Sequence, residues 1–208
     1  MDAGAALREA GKLGPYFALG TGGGRPVSDL YDPGQDALAH LIDEVTRRID
    51  APEPRIGASI LFQGYAARLW SLALGPASIA GIVPDLSPDR LWWRSADGSL
   101  TLGLDPIEST PDGVFRTVVD RHLFPLADAL RKRVRLPTAL LRGNVTSALV
   151  GTARVLNTAA GWEATRDLLR RPPLADTGTL TGDDFSRRSC CLYYRVPNGG
   201  LCGDCALR

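Results

Sequence analysis

The residues of this chain best suited to chemistry are four cysteines crowded near its end. Cys190 and Cys191 stand side by side, and after ten intervening residues Cys202 and Cys205 form a C-x-x-C. No other cysteine occurs in the 208 residues. Structural cysteines serve as small hydrophobes scattered through a core, whereas one metal centre draws about four thiolates to a single place. The pattern therefore predicts one metal site. A C-x-x-C turn brings two sulfurs within reach of one ion, and Gly203 inside it permits the tight backbone. The vicinal pair is less usual, because successive side chains on an extended strand point to opposite faces and share a site only where the backbone bends. Structural zinc favours C-x2–4-C at both ends, so the adjacent pair departs mildly from zinc. Residue chemistry alone leaves an iron–sulfur cluster and a zinc ion both open, with a disulfide pair behind them in a reducing compartment. Backbone amides of Gly199, Gly200, Gly203 and Cys205, and the charges of Arg187, Arg188 and Arg195, would raise the reduction potential of a cluster held there.

Other chemistry-bearing residues are weaker candidates. His122 lies on an apolar stripe and His40 on a shorter helix, neither with a second ligand at metal spacing, so both read as packing or capping residues. Gly20 to Gly24 lacks the G-K-[ST] of a phosphate loop and reads as a surface loop. Trp92 and Trp93 read first as buried mass with one indole at the edge, and second as the wall of an aromatic ligand site. The sequon at Asn144 has no meaning without secretion, and the terminal Cys205-Ala206-Leu207-Arg208 has arginine where prenylation needs a small or apolar residue.

The elements that must position the cysteines are mostly helical. Helices are expected over 2–12, over Asp36–Ile49 with Leu38, Leu41, Ile42 and Val45 on one stripe, and over Arg55–Leu74 at the centre of the core. Gly75 and Pro76 should break the last of these. Pro111-Asp112 opens another helix, kinked at Pro125, and Leu136-Pro137-Thr138 begins one running to about Ala160, with Gly161 separating it from a shorter helix to Arg170. Gly143, Ser147 and Gly151 recur every fourth residue, a narrow track expected to let another helix approach. The one confident hairpin is Leu91–Leu104, turning at Asp97-Gly98, with Leu91 and Trp93 on one face and Trp92 and Arg94 on the other. The expected class is α+β, mainly α-helical: a helical body over 1–173, a linker over 174–184, and a compact metal segment over 185–208 packed on the body as one unit. Within that segment Leu192–Val196 has strand propensity, and Pro197-Asn198-Gly199-Gly200 should turn the C-x-x-C back toward the cysteine pair.

Composition sets the frame. A hydrophobic content of 44% and a formal charge of +1 suit an ordinary globular chain with no general pull toward nucleic acid or acidic lipid. No basic segment leads into an apolar run at the start, and no stretch reaches the roughly 20 apolar residues of a membrane span. A cytoplasmic protein is the expectation.

Ser189-Cys190-Cys191-Leu192-Tyr193-Tyr194-Arg195, followed by Gly199-Gly200-Leu201-Cys202-Gly203-Asp204-Cys205, resembles the C-terminal signature of the ferric siderophore reductases of the FhuF family. Leu141-Arg142-Gly143-Asn144-Val145-Thr146-Ser147-Ala148 is similar to a looser block of the same family, which usually has tryptophan where Arg142 stands. The resemblance implies that Cys190, Cys191, Cys202 and Cys205 bind a [2Fe–2S] cluster. It also implies a cytoplasmic oxidoreductase that reduces iron(III) in hydroxamate siderophores by one electron, taken from an external donor such as a ferredoxin or a flavin reductase. An external donor agrees with the absence of any NAD or FAD motif. Tyr193, Tyr194 and Arg195 beside the ligands, with Trp92 and Trp93 as walls, are the expected substrate contacts. Rival readings are a zinc-stabilised interaction module, an iron–sulfur redox sensor, and, last, a relative of siderophore synthetases, which would need a nucleotide loop that this chain lacks.

Overall fold

One helix is apolar on every side, and the rest of the chain wraps around it. In a computed structural model describing residues 1–197 and 199–208, this is α3 (Pro54–Ala80), which buries residues around its whole circumference, including Ile56, Phe62, Tyr65, Leu69 and Trp70. A helix without an apolar stripe belongs at the centre of a core. Around it pack α1 (Ala3–Gly11), α2 (Ala37–Arg48) and α5 (Thr138–Leu156). The Trp70 indole is wholly buried and donates to the carbonyl of Val145 at 3.0 Å, tying α3 to α5. Two further α-helices are α4 (Phe124–Arg133) and α6 (Ala159–Leu169).

The predicted hairpin is present as β2 (Leu91–Ala96) and β3 (Ser99–Leu104), paired so that Leu91 faces Leu104 and Trp93 faces Leu102. Leu91 and Trp93 point into the core, while Trp92 lies under the guanidinium of Arg94 on the other face. A two-residue strand, β1 (Arg25–Pro26), adds to its edge. The α+β, mainly helical class stands.

Several local expectations are corrected. Pro76 does not break α3, which continues to Ala80 and closes at Gly81 in the left-handed region; burial on all sides outweighs the lost N–H. Pro125 marks a change of helix type. It lies in the first turn of α4, and ahead of that helix Arg116–Leu123 forms a π-helix, with Phe124 N–H reaching Val119 five residues back. α5 ends at Leu156 rather than near Ala160. Asn157 takes the left-handed cap and the Thr158 side chain caps α6, so the break precedes Gly161. A second hairpin, β4 (Gly178–Thr181) and β5 (Asp184–Arg187), turning at Gly182, crosses from the expected linker into the cysteine segment. Tyr193–Arg195 is a 3-10 turn after Leu192 in the left-handed region, not a strand. The turn predicted at 197–200 includes Asn198, which lies outside the described residues.

His122 is a satisfied core histidine, as its apolar stripe predicts. Nε2 donates to the carbonyl of Leu86 at 2.5 Å, which leaves Nδ1 to accept from the hydroxyl of Tyr31 at 2.6 Å. Burial lowers its pKa from 6.5 to about 4. Below pH 6.5 the unfolded chain therefore takes up a proton that the fold refuses, and stability falls as pH drops toward 4. Between pH 7 and 5 the wild type should lose about 2 kcal/mol more than His122→Gln in urea unfolding, at about 1.4 kcal/mol per pH unit below 6.5. Parallel pH profiles for the two proteins would contradict a neutral buried imidazole.

Candidate metal centre and adjoining cleft

β5 delivers the site its anchor. Arg187 is the last residue of that strand, and its side chain is wholly excluded from solvent. Nη1 donates to Asn144 Oδ1 at 2.8 Å, and Nη2 reaches Ser147 Oγ at 3.1 Å, Asp204 Oδ1 at 3.3 Å and the sulfur of Cys202 at 3.4 Å. Asn144 in turn donates from Nδ2 to the carbonyl and the hydroxyl of Ser59, both at 3.0 Å. Ser59 completes the circuit, its hydroxyl donating to the carbonyl of Cys191 at 2.8 Å. One buried polar network thus runs from the vicinal pair through α3 and α5 to the C-x-x-C. The backbone adds a further tie, with Arg187 N–H donating to the carbonyl of Asp204 at 3.1 Å.

The small-residue track on α5 meets this segment at Gly143, and at Ser147 it meets both the segment and α3, where Gln63 Nε2 donates to Ser147 Oγ at 3.1 Å. A Cβ at Gly143 would collide with the hydroxyl of Ser189, which donates to the carbonyl of Ala139. Ser147 belongs to the Arg187 network, and Gly151 faces open space. Arg142 itself is exposed.

All four cysteines are free thiols; Cys191 and Cys205 are buried, Cys190 and Cys202 half-buried. The sulfurs of Cys191 and Cys202 lie 3.8 Å apart, so the fold brings together one member of each predicted pair. Cys190 lies within electrostatic reach of both Cys191 and Cys205. Among the described residues no three acidic, histidine or cysteine side chains converge on the position of a single ion. Three sulfurs receive N–H donors: Cys190 from the Leu192 amide at 3.3 Å, Cys205 from the Leu207 amide at 3.4 Å, and Cys202 from Arg187.

The electrostatics follow from burial opposed by one cation. Burial pushes the Cys202 thiol up to about 12, with Arg187 pulling the other way. It raises Cys190 as well, against the Leu192 amide. Burial disfavours the charge on Arg187, yet Asp204, Cys191 and Cys202 outweigh it and hold the guanidinium cationic. Asp204 responds in kind: burial acts to raise its pKa, but Ser147 and Arg187 bring it below the usual carboxylate range. Arg187 Nε and Asp204 Oδ2 are buried with no partner among the described residues. Thiols this far from ionising become thiolates when a metal's charge displaces their protons. A buried guanidinium and two amides aimed at sulfur suit an anionic sulfur-rich group. The donor set fits an iron–sulfur cluster.

Residues 187–207 match the family model for the FhuF 2Fe–2S C-terminal domain. The match carries a [2Fe–2S] cluster with it and links the segment to siderophore-iron reductases. No curated protein matches the chain.

A cleft of about 950 Å3 adjoins the segment, with Cys191, Cys202, Tyr193 and Asp204 in its wall. Of the expected substrate contacts Tyr193 lines it. Tyr194 and Arg195 lie alongside, where Arg195 bonds the Tyr194 hydroxyl and pairs with Glu53. The tryptophans are not brought to the cysteines: Trp93 is 7% exposed in the core, and Trp92 borders a separate depression with the glycines of 20–24. The network of Ser59, Asn144 and Ser147 went unrecognised in the sequence, although each is a polar residue interrupting an apolar helix.

Removing one member of a buried ion pair leaves the other uncompensated, which costs about 3–5 kcal/mol. Arg187→Met should lower stability by about that amount and reduce iron content, and adding Asp204→Asn should recover part of the loss. Thermal unfolding and iron analysis of the two variants check this; an unchanged melting temperature in Arg187→Met would contradict the anchoring role.

Proposed function

We propose that this protein is a cytoplasmic ferric siderophore reductase, which converts iron(III) in a hydroxamate chelate to iron(II) with one electron from an external donor of the ferredoxin or flavin-reductase class. The observation that carries the reading is the match of residues 187–207 to the FhuF 2Fe–2S C-terminal domain, on a segment whose sulfurs border a ligand-sized cleft. Cys190, Cys191, Cys202 and Cys205 hold the group in this proposal. When bound, a [2Fe–2S] cluster supplies a site that takes up and releases single electrons.

The chain's own residues supply the setting. Arg187 keeps a fixed positive charge against Cys202 Sγ, favouring the electron-rich state of whatever these sulfurs bind. Buried Cys191 and Cys205 keep water from half of the thiolate set. Tyr193, in the wall of the cleft, offers an aromatic face to a chelate there. Hydroxamates are hard oxygen ligands that bind iron(III) far better than iron(II), so the added electron loosens the chelate and frees the metal without acid–base catalysis. Among the described residues no helix is long and apolar enough to cross a membrane. The helical body over 1–173 and the cysteine segment over 185–208 act as one unit in this reading, since the anchors of the segment lie on α3 and α5.

Anaerobically purified protein should be red-brown, with about two irons and two acid-labile sulfides per chain. With a chemical reductant it should release ferrous iron from a ferric tris-hydroxamate, measured with a ferrous-specific chromogenic chelator. Cys202→Ser should lose both the visible absorption and the activity. Stoichiometric zinc without sulfide, or an intact cluster that never yields ferrous iron, would overturn the proposal.

A further inference from the structure

The wall of the cleft carries a charge pattern that the cysteine chemistry does not require. Arg48, Arg68 and Arg154 line it, and the one carboxylate among its lining residues is Asp204, already paired with Arg187. None of the three arginines forms an ion pair among the described residues. Arg68 lies with its guanidinium 4.7 Å from the ring centre of Tyr16 and donates to the carbonyl of Pro15 at 3.3 Å, so it is held in place by uncharged groups. Arg154 likewise donates to a backbone carbonyl, that of Asp183. The half-buried guanidinium of Arg68 therefore has its position fixed and its charge unanswered, while Arg48 and Arg154 are exposed residues of the same wall. Three guanidinium charges in one cleft exceed the roughly two negative charges of an oxidised cluster on four thiolates, and they leave a net field that favours anions.

The floor is bare where a ligand would lie. Gly64 on α3 and Gly151 on α5 both line the cleft, and a Cβ at either would meet nothing within 4 Å. Helix interiors disfavour glycine by about 1 kcal/mol relative to alanine, and no neighbour takes up the space these two leave. A volume of about 950 Å3 lies at the upper end of the 300–1,000 Å3 typical of small-molecule sites. It can take a whole chelate, not a single ion. Cys191 and Cys202 in the same wall put that chelate beside the sulfurs.

We infer that this cleft is the seat of the ferric chelate and that Arg48, Arg68 and Arg154 select chelates of net negative charge over neutral or cationic ones. The inference rests on the reductase reading for the identity of the ligand, but its charge preference concerns binding alone. Gallium(III) separates the two, because its chelates have the shape and charge of the ferric forms and do not accept the electron.

The probes are two gallium(III) complexes of one linear tris-hydroxamate, neutral at the metal, one bearing a free carboxylate and the other a free primary amine. Binding is measured by equilibrium dialysis against the oxidised, cluster-loaded protein. The carboxylate form should bind about tenfold tighter, and the ratio should shrink as salt is raised. The combined Arg48→Gln, Arg68→Gln and Arg154→Gln replacement should abolish the ratio. A Cβ at Gly151 meets nothing within 4 Å, so Gly151→Leu projects into the cleft and should weaken both complexes at least tenfold while the visible spectrum of the cluster stays unchanged. Equal affinity for the two complexes, no binding of either, or wild-type binding by Gly151→Leu with its spectrum intact would overturn the inference. A charge preference in gallium binding without reduction of the ferric counterparts would uphold the cleft and sink the reductase reading. Reduction of both ferric forms without any preference would do the reverse.

Discussion

The buried guanidinium of Arg187 is the contact on which the C-terminal segment depends. A cysteine segment so short has too little apolar surface to fold on its own, and it is held by polar contacts to helices that fold for their own reasons. Arg187 gathers those contacts into one group: the amide of Asn144 and the hydroxyl of Ser147 on one side, the carboxylate of Asp204 and the sulfur of Cys202 on the other. A lysine could not reach these partners together, because it lacks the planar fork of donors. The charge does double duty. It is kept in a buried place by Asp204 and by the sulfurs, and in return it favours negative charge on them.

The helical body is arranged to receive that contact. α3 and α5 are long, apolar and packed together through Trp70, and they carry a few polar residues where they meet the segment. Ser59 and Asn144 would be costly in such a core if left unpaired; here each finds its partner in the segment or in the other. Small residues on α5 serve two ends of one surface. At Gly143 the missing side chain admits Ser189, and at Gly151 it leaves the cleft open. The anchoring of the cysteine segment and two of the three cleft arginines, Arg68 and Arg154, therefore follow from one helix pair and one strand end, and α2 supplies Arg48.

Much of this was legible in the sequence, for reasons that differ by element. The Asp97-Gly98 hairpin and the amphipathic stripe of α2 are local signals, and both appear at the expected residues. The cysteine spacing is legible because thiolate chemistry leaves no freedom of residue type. What failed was context. Pro76 lies inside a helix because burial on every side outweighs a local breaker, and the hairpin at Gly182 hides in a stretch whose polar composition resembles a linker. Trp92 and Trp93 could not be placed relative to the cysteines without tertiary structure, and neither reaches them. The Asn144–Arg187 bond joins residues 43 apart in sequence, and nothing local announces it.

The proposed function rests on one electron, which a centre at the sulfurs of this segment would pass to a chelated ferric ion in the neighbouring cleft. The direct measurement is a single-turnover mix under anaerobic conditions, in which chemically reduced protein, freed of excess reductant, meets one equivalent of a ferric tris-hydroxamate. Cluster absorption and ferrous iron are followed together in time. The account predicts that one ferrous ion appears for each cluster reoxidised, with the two signals sharing one rate. Ferrous iron appearing without recovery of the oxidised absorption, or a cluster that stays reduced in the presence of the chelate, would contradict it.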